Sequence, residues 1–109
     1  MKQNNIIVII PLYNVEEWIQ KTIRSVKLQK YKNYHCYLVD DISTDSSREV
    51  IQKEIKDNDN FTLIVNTEKK YALKNIYDTI ELANPKKDDI IILLDGDDWL
   101  ASKDVFSTI

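Results

Sequence analysis

The sequence contains few of the residues that most often form turns, disulfides or proton-transfer sites. Among its 109 residues are one glycine, two prolines, one cysteine and one histidine. Because Cys36 has no second cysteine to pair with, an intrachain disulfide is excluded and a reducing compartment is expected. His35 falls early in a predicted strand, which favours a structural role over a catalytic one.

The sequence also lacks a surplus of basic residues and a long apolar run. Fifteen lysines and arginines against 18 acidic residues give a net charge of −3, which argues against a general nucleic-acid-binding protein. A cluster of Lys69, Lys70 and Lys74 remains a candidate for binding a small anion. The apolar run at 6–10 ends at Pro11 and is too short for a signal-peptide core or a membrane span. We therefore expect a cytoplasmic protein, either free or at a membrane face.

Apolar runs and amphipathic segments alternate along the chain. Runs rich in apolar residues predict strands at 5–11, 34–40, 61–66 and 89–95, the first and last apolar throughout, as in strands buried on both faces. Helical periodicity between them predicts helices at 14–26, 45–56 and 71–83. The resulting β-α-β-α-β-α-β order predicts one domain over 1–109, an α/β fold with a Rossmann-like parallel sheet and helices on both faces.

The sequence also predicts where each helix begins and which side faces the core. Asn14 is the expected cap of the first helix, and Ser46 with Glu49 has the spacing of a capping box at the second. The expected inward residues are Val15, Ile19, Ile23 and Val26 in the first helix, Ile51 and Ile55 in the second, and Leu73, Ile76, Ile80 and Ala83 in the third.

Candidate ligand-binding residues lie at the carboxyl ends of all four predicted strands. They are residues 11–14, Asp40 and Asp41, Asn66 and residues 95–98. Because ligands of doubly wound sheets bind outside the carboxyl ends of the strands, these residues are expected to form one site although they are far apart in sequence.

Three carboxylates surround the only glycine, in the order Asp95, Gly96, Asp97, Asp98. Mg²⁺ and Mn²⁺ prefer oxygen ligands, so the three aspartates are candidate ligands for such an ion beside a substrate diphosphate. Gly96 allows a sharp turn and leaves room for a ligand. The competing interpretation is a solvated acidic turn that caps the next element; the position at a strand end, facing a second acid pair, favours the metal site.

The second candidate site is the acid pair. Asp40 or Asp41 can accept hydrogen bonds from the base or the ribose of a nucleotide, as acids after a strand do in dinucleotide-binding folds. The polar residues 43–45 are expected to cap the helix that follows. Tyr13 either covers a base or packs in the fold, and the cluster of lysines either contacts a diphosphate or forms a solvated face.

Three stretches together resemble the nucleotide-sugar-binding half of the family 2 inverting glycosyltransferases, which have the GT-A fold. They are VIIPLYN at 8–14, VDDISTDSS at 39–47 and LLDGDDWL at 93–100. The resemblance covers essentially the whole chain. It implies the donor-binding part of an enzyme of cell-surface polysaccharide biosynthesis that transfers a sugar from a nucleoside diphosphate, expected to be UDP, to an acceptor hydroxyl with inversion.

On the metal side, the resemblance assigns roles to the acidic cluster. Asp95 and Asp97 match the family's DxD motif, whose carboxylates bind Mn²⁺ or Mg²⁺ and the ribose and diphosphate of the donor. Asp98 matches a frequent additional acid.

On the nucleotide side, Asp40 and Asp41 match acids that contact the base, usually uracil. Pro11 and Tyr13 match the segment that lines the nucleotide pocket. Lys74 stands where many members have an arginine near the phosphates.

The chain departs from the family pattern in three respects. Ile42 and Tyr77 occupy positions where members usually have glycine, so the phosphate-side loop is expected to differ in shape. The half that supplies the acceptor site and the catalytic base is missing, so no residue here is assigned as the base. The acceptor, whether saccharide, lipid or protein, is not specified.

Two functions other than glycosyl transfer share parts of this sequence pattern. A receiver domain of a response regulator has its acid pair after the first strand and a lysine after the fifth; here a strand and a helix precede the pair, and no fifth strand exists. A non-catalytic nucleotide-binding or dimerisation module stays compatible with the sequence, as does association with a separate acceptor domain.

Overall fold

The computed structural model describes residues 4–109 and contains a four-stranded sheet with helices on both faces. Its elements are β1 (Ile6–Leu12), α1 (Ile19–Lys27), β2 (Tyr34–Asp40), α2 (Ser47–Ile55), β3 (Phe61–Val65), α3 (Tyr71–Ala83), β4 (Ile90–Leu93) and a 3₁₀ turn (Phe106–Thr108). This order confirms the predicted α/β fold. Of the predicted domain, residues 1–3 lie outside the described part.

The strands lie in the order β3-β2-β1-β4, and each neighbouring pair is parallel. Ile6 is opposite Tyr34 of β2 on one side and Ile90 of β4 on the other. All seven residues of β1 are buried, as its apolar run predicts. The strand order changes direction between β1 and β4, and ligands of such sheets bind outside the carboxyl ends of the strands at a switch point of this kind.

The main core lies between the sheet and the packed pair α1 and α2. Ile19 and Ile23 of α1 and Ile51 of α2 are completely buried against the even-numbered residues of β1. Each such side chain contributes about 2 kcal/mol of hydrophobic free energy. The inward face predicted for α1 is therefore confirmed at Ile19, Ile23 and Val26, whereas Val15 precedes the helix and is partly buried.

The caps predicted at Asn14 and Ser46 are wrong, whereas Asp45 caps the second helix as predicted. The first helix begins at Ile19 instead of near Asn14, whose φ of 51° is left-handed and places it outside the helix. Ser46 precedes α2 but makes no side-chain capping bond. Asp45 Oδ1 instead accepts from Ser47 N, at the first residue of α2, at 2.9 Å.

The inward face predicted for α3 is wrong at Leu73, which is 82% exposed. The two buried residues of this helix are Asn75 and Thr79, while Ile76 and Ile80 are half-buried. The helix turns a polar strip inward because Asn75 Oδ1 accepts a hydrogen bond from Asn66 Nδ2 at 2.7 Å, at the end of β3.

Strand β4 is buried on one face only. Ile91 and Leu93 are 37% and 55% exposed, whereas Ile90 and Ile92 pack against the core cluster. The prediction of burial on both faces fails here because α3 packs mainly on β1 and β2, so it leaves the outer face of the edge strand open.

The remaining elements stabilise the base of the sheet. Phe106 of the 3₁₀ turn is buried and its ring centroid lies 5.4 Å from that of Tyr34.

Cys36 is buried in the core, and this burial raises the pKa of its thiol. His35 Nε2 lies 2.7 Å from Thr62 Oγ1, away from the carboxyl ends of the strands. Among the described residues, no helix is both long and apolar enough to cross a membrane.

Candidate nucleotide and metal site

Hydrogen bonds join the loop after β1 to the loop after β2. The carboxamide oxygen of Asn14 accepts from Thr44 N at 2.7 Å and Asp45 N at 3.2 Å. In return, Asn14 N donates to Ser43 Oγ at 3.0 Å and Glu16 N donates to Asp45 Oδ2 at 3.1 Å. These bonds fix the two loops relative to each other, and they hold the backbone next to Tyr13.

The two acids after β2 have different surroundings. Asp40 is completely buried and its carboxylate accepts from the guanidinium of Arg48, on α2, and from the hydroxyl and N–H of Ser43. Its hydrogen-bonding capacity is directed into the fold, and it does not line the cavity described below.

Asp41 is 3% exposed and anchors the loop that precedes α3. Its carboxylate accepts from Lys70 N and Tyr71 N, both at 2.8 Å, and from Asn66 Nδ2 at 3.0 Å. Burial alone would raise the pKa of Asp41, but these hydrogen bonds and the charge of Lys69 outweigh it and lower the pKa to about 2. The group is therefore an anion at neutral pH, and it caps α3 from a distant loop.

Ile42 occupies a position where family members usually have glycine, and its backbone conformation is one that favours glycine. Its φ is 64°, in the left-handed region, where a β-branched side chain is strained. At the other departure, Tyr77 is exposed on α3 and leaves the helix intact.

A cavity of about 550 Å³ opens between the ends of β1 and β2 and the start of α3. It is lined by Pro11, Leu12, Tyr13, Asp41, Lys69, Tyr71, Ala72 and Asn75. Four of the residues singled out from the sequence are therefore brought together here, namely Pro11, Tyr13, Asp41 and Lys69. The side-chain nitrogen of Asn75, a residue that lines the cavity, is buried and has no hydrogen-bond partner among the described residues, so it is an unpartnered donor.

The cation in this cavity is Lys69. Its Nζ lies 3.2 Å from the centroid of the Tyr13 ring, 5.4 Å from that of Tyr71 and 3.5 Å from Asp41 Oδ2. Lys74, which the family pattern favours, does not line the cavity and pairs with Asp78 at 3.0 Å on the surface of α3. Sequence reasoning singled out Lys74 and left Lys69 only as one member of the basic cluster, because nothing in the sequence shows which lysine the start of α3 turns inward.

The acidic cluster after β4 is exposed and unpaired in the described structure. One carboxylate oxygen of each of Asp95, Asp97 and Asp98 can be chosen so that all three lie within 4.8 Å of one another. Three hard oxygen ligands at this spacing suit Mg²⁺ or Mn²⁺, which take carboxylates together with water and phosphate oxygens. The donor set therefore fits the predicted metal.

The φ of Gly96 is not positive, so the backbone conformation of the turn does not require glycine. Glycine is needed here because the segments around it pack closely. A Cβ at this position would lie 2.9 Å from Leu12 Cβ and 3.2 Å from Val15 Cγ2. The space beside Gly96 that was expected to admit a ligand is thus filled by Leu12, at the end of β1, and by Val15 in the loop that follows. The hydroxyl of Thr22 on α1 contacts the carbonyl oxygens of Gly96 and Asp98 and holds the turn from below.

Comparisons with known proteins agree with this arrangement. The model of the family "Glycosyl transferase family 2" matches residues 7–108. The glycosyltransferase GlyA of Streptococcus pneumoniae is 34% identical over 99 residues, which are 89% of this chain and 13% of that protein. The teichoic acid poly(glycerol phosphate) polymerase of Staphylococcus epidermidis is 30% identical over 101 residues, or 91% of this chain and 14% of that protein. The chain therefore spans only about one seventh of the length of these relatives.

Solved structures share the fold. Residues 1–349 of TarS from S. aureus, in complex with UDP, superpose with a TM-score of 0.81 at 20% identity, covering 95% of this chain and 30% of that one. The mannosyltransferase PcManGT from Pyrobaculum calidifontis, in complex with GDP-Man and Mn²⁺, gives 0.82 at 20% identity, with 94% and 30% covered. The receiver-domain alternative is thereby excluded. With its strand order, its acidic edge and the family match over nearly its whole length, the chain belongs to glycosyl transferase family 2.

Proposed function

We propose that this chain binds a nucleotide sugar, a UDP-sugar in the first place, as the donor-binding part of a metal-dependent inverting glycosyltransferase. The observation that carries the proposal is the pairing of two features at one sheet edge. A cavity with an aromatic wall and an ionised carboxylate lies between β1, β2 and α3, and a cluster of three unpaired carboxylates follows β4.

The cavity supplies the groups that a base requires. The ring of Tyr13 offers a face for stacking, and Pro11 continues the apolar wall. Asp41 can accept from a ring N–H, and the free N–H groups of Asn75 can donate to an adjacent carbonyl. Uracil presents an N–H flanked by carbonyl oxygens and so satisfies both. Asp40, with its carboxylate bonded to Arg48 and Ser43, acts in this proposal by holding the strand end that carries Asp41.

The acidic cluster is assigned to the metal and the diphosphate. Asp95, Asp97 and Asp98 would hold Mn²⁺ or Mg²⁺, and Asp95 would also contact the donor. When bound, the ion neutralises the diphosphate and stabilises it as a leaving group. Support for a divalent ion comes from the PcManGT complex, which contains Mn²⁺ together with GDP-Man. We also propose that Lys74, on the surface of α3, contacts a phosphate of the donor.

The reaction itself is proposed to be a single displacement, in which the acceptor oxygen attacks the anomeric carbon and the nucleoside diphosphate leaves from the opposite side. It needs a base within hydrogen-bond reach of the acceptor hydroxyl, and we assign that base to an acceptor-binding part outside these 109 residues. Relatives named for teichoic acid synthesis support a cell-surface polymer as the acceptor. By itself the chain is expected to bind the donor without transferring the sugar.

Calorimetric titration with UDP, in the presence and absence of Mn²⁺, tests the proposal. We expect binding that requires Mn²⁺, that is weakened at least tenfold by Asp97→Ala, and that is weaker for CDP. Asp59→Ala is a matched control because Asp59 is exposed at the opposite end of the sheet, before β3. A folded protein that binds no nucleotide under any condition overturns the proposal; equal weakening by both variants removes the assignment of the metal to the acidic cluster.

A further inference from the structure

The ammonium group of Lys69 occupies the place in the cavity where a planar ring would stack on Tyr13. Its nitrogen is 3.2 Å from the Tyr13 centroid, and a base stacked on this ring would lie about 3.5 Å from it. Tyr71 flanks the same space, with its centroid 5.4 Å from the nitrogen. We call the space between Tyr13, Tyr71 and Asp41 the aromatic slot.

Four interactions hold the ammonium in the aromatic slot. Two are cation–π contacts with Tyr13 and Tyr71, the third is the ion pair with the Asp41 carboxylate at 3.5 Å, and the fourth is a hydrogen bond to the backbone carbonyl of Asp41 at 3.4 Å. Cation–π contacts contribute about 0.5–2 kcal/mol, depending on how far they are desolvated. The side chain of Lys69 is 34% exposed, so its path out of the slot is open to solvent.

We propose that the aromatic slot is the base site and that Lys69 fills it only while no nucleotide is bound, moving to the diphosphate when a base enters. This inference rests on the proposed function, because it needs a nucleoside diphosphate as the ligand. Tyr71 thereby becomes a base contact, and Lys69 becomes a positioning residue that couples the base to the phosphates.

Charge explains why the exchange is coupled. A neutral base that displaces the ammonium removes a cation from beside the Asp41 anion, which is a cost that uridine alone cannot offset. A diphosphate provides a new anionic partner for the same cation, so UDP recovers what uridine loses. Lys69 therefore penalises nucleosides relative to nucleoside diphosphates and increases the selectivity for the charged donor.

The test compares uridine and UDP, with Mn²⁺ present, on the wild type, on Lys69→Met and on Lys53→Met. Methionine keeps roughly the length of the side chain without its charge. We expect Lys69→Met to bind uridine several-fold more tightly and UDP more weakly, so that the ratio of the two affinities falls at least tenfold. Lys53→Met, whose lysine is exposed on α2 away from the cavity, is expected to leave both affinities unchanged.

Nuclear magnetic resonance provides a second readout, the proton chemical shift of Lys69, which does not depend on measuring an affinity. The ε-methylene protons of Lys69 should resonate upfield in the free protein, because the Nζ bonded to this carbon lies over the Tyr13 ring, and should return to an ordinary shift on addition of UDP. A wild type that binds UDP while these protons stay upfield overturns the inference and leaves the proposed function intact. An unchanged affinity ratio in Lys69→Met does the same. Failure of the wild type to bind UDP overturns the proposed function instead.

Discussion

Aspartates end β2 and follow β4 at the same edge of the sheet, yet folding uses them differently. Asp40 and Asp41 are buried and their carboxylates accept hydrogen bonds from α2, from the start of α3 and from Asn66. Asp95, Asp97 and Asp98 are exposed and have no ion-pair partner among the described residues. The first group builds the site, and only the second keeps its carboxylates free for an ion. Equal residue types at equal strand ends therefore do not imply equal roles.

The sharpest way to break this comparison is to remove one charge from each group. We expect Asp40→Asn to lower the free energy of unfolding by about 3 kcal/mol, because it disrupts a buried ion pair with Arg48. Asp97→Asn, at an exposed position, should change it by less than about 0.5 kcal/mol. Urea unfolding followed by circular dichroism measures both values, and similar losses in the two variants would contradict the distinction.

Acidification tests Asp41 in the same way, with a smaller effect. Its pKa is about 2 in the folded chain against an ordinary value of 3.8. A lowered pKa stabilises the fold at pH values above the ordinary value, and this stabilisation is lost as the pH falls toward the folded value. The loss amounts to about 2 kcal/mol. Asp41→Asn should remove this part of the acid sensitivity, as measured by urea unfolding at a series of pH values. A variant that retains the full wild-type acid sensitivity would show that Asp41 does not cause it.

The smallest expected effect concerns Ile42, whose backbone in the loop after β2 is strained. Ile42→Gly should stabilise the chain by about 1 kcal/mol, because glycine adopts a φ of 64° without a Cβ clash. Asn84→Gly is the matched control: its φ is 47°, but asparagine tolerates the left-handed region, so a smaller gain is expected. Thermal unfolding of the two variants decides whether the strain is specific to the β-branched residue.

The sheet could be predicted from sequence because its signals are local. Unbroken apolar runs define the buried β1, and the alternation with helices leaves a parallel sheet as the natural arrangement. Whether β4 is buried on one face or on both could not be predicted, because an apolar run suits an edge strand as well as a central strand. Leu73 was misassigned because α3 carries apolar residues around much of its circumference, and a hydrogen bond to Asn66 decides its orientation.

The positions of the site residues were predictable, but their partners were not. The rule that ligands bind at the carboxyl ends of strands brought Tyr13, Asp41 and the acidic cluster to one edge. It could not show that Asp40 bonds to Arg48, or that Lys69 reaches the cavity while Lys74 does not. Asn75 was missed because an asparagine within a helix gives no signal until its neighbours are known.

Gly96 has a mechanical consequence. Since its α-carbon approaches Leu12 and Val15 too closely to leave room for a Cβ, the turn that bears the acidic cluster rests directly against the two residues that flank Tyr13 and Asn14. A displacement of either segment must push the other. Under the proposed function, the loop after β1 would contact the base and the turn after β4 would hold the diphosphate through the metal, so this contact would set the distance between the two ends of the donor site. A larger residue at 96 would force the two segments apart and change that distance, without replacing any residue assigned to the ligand.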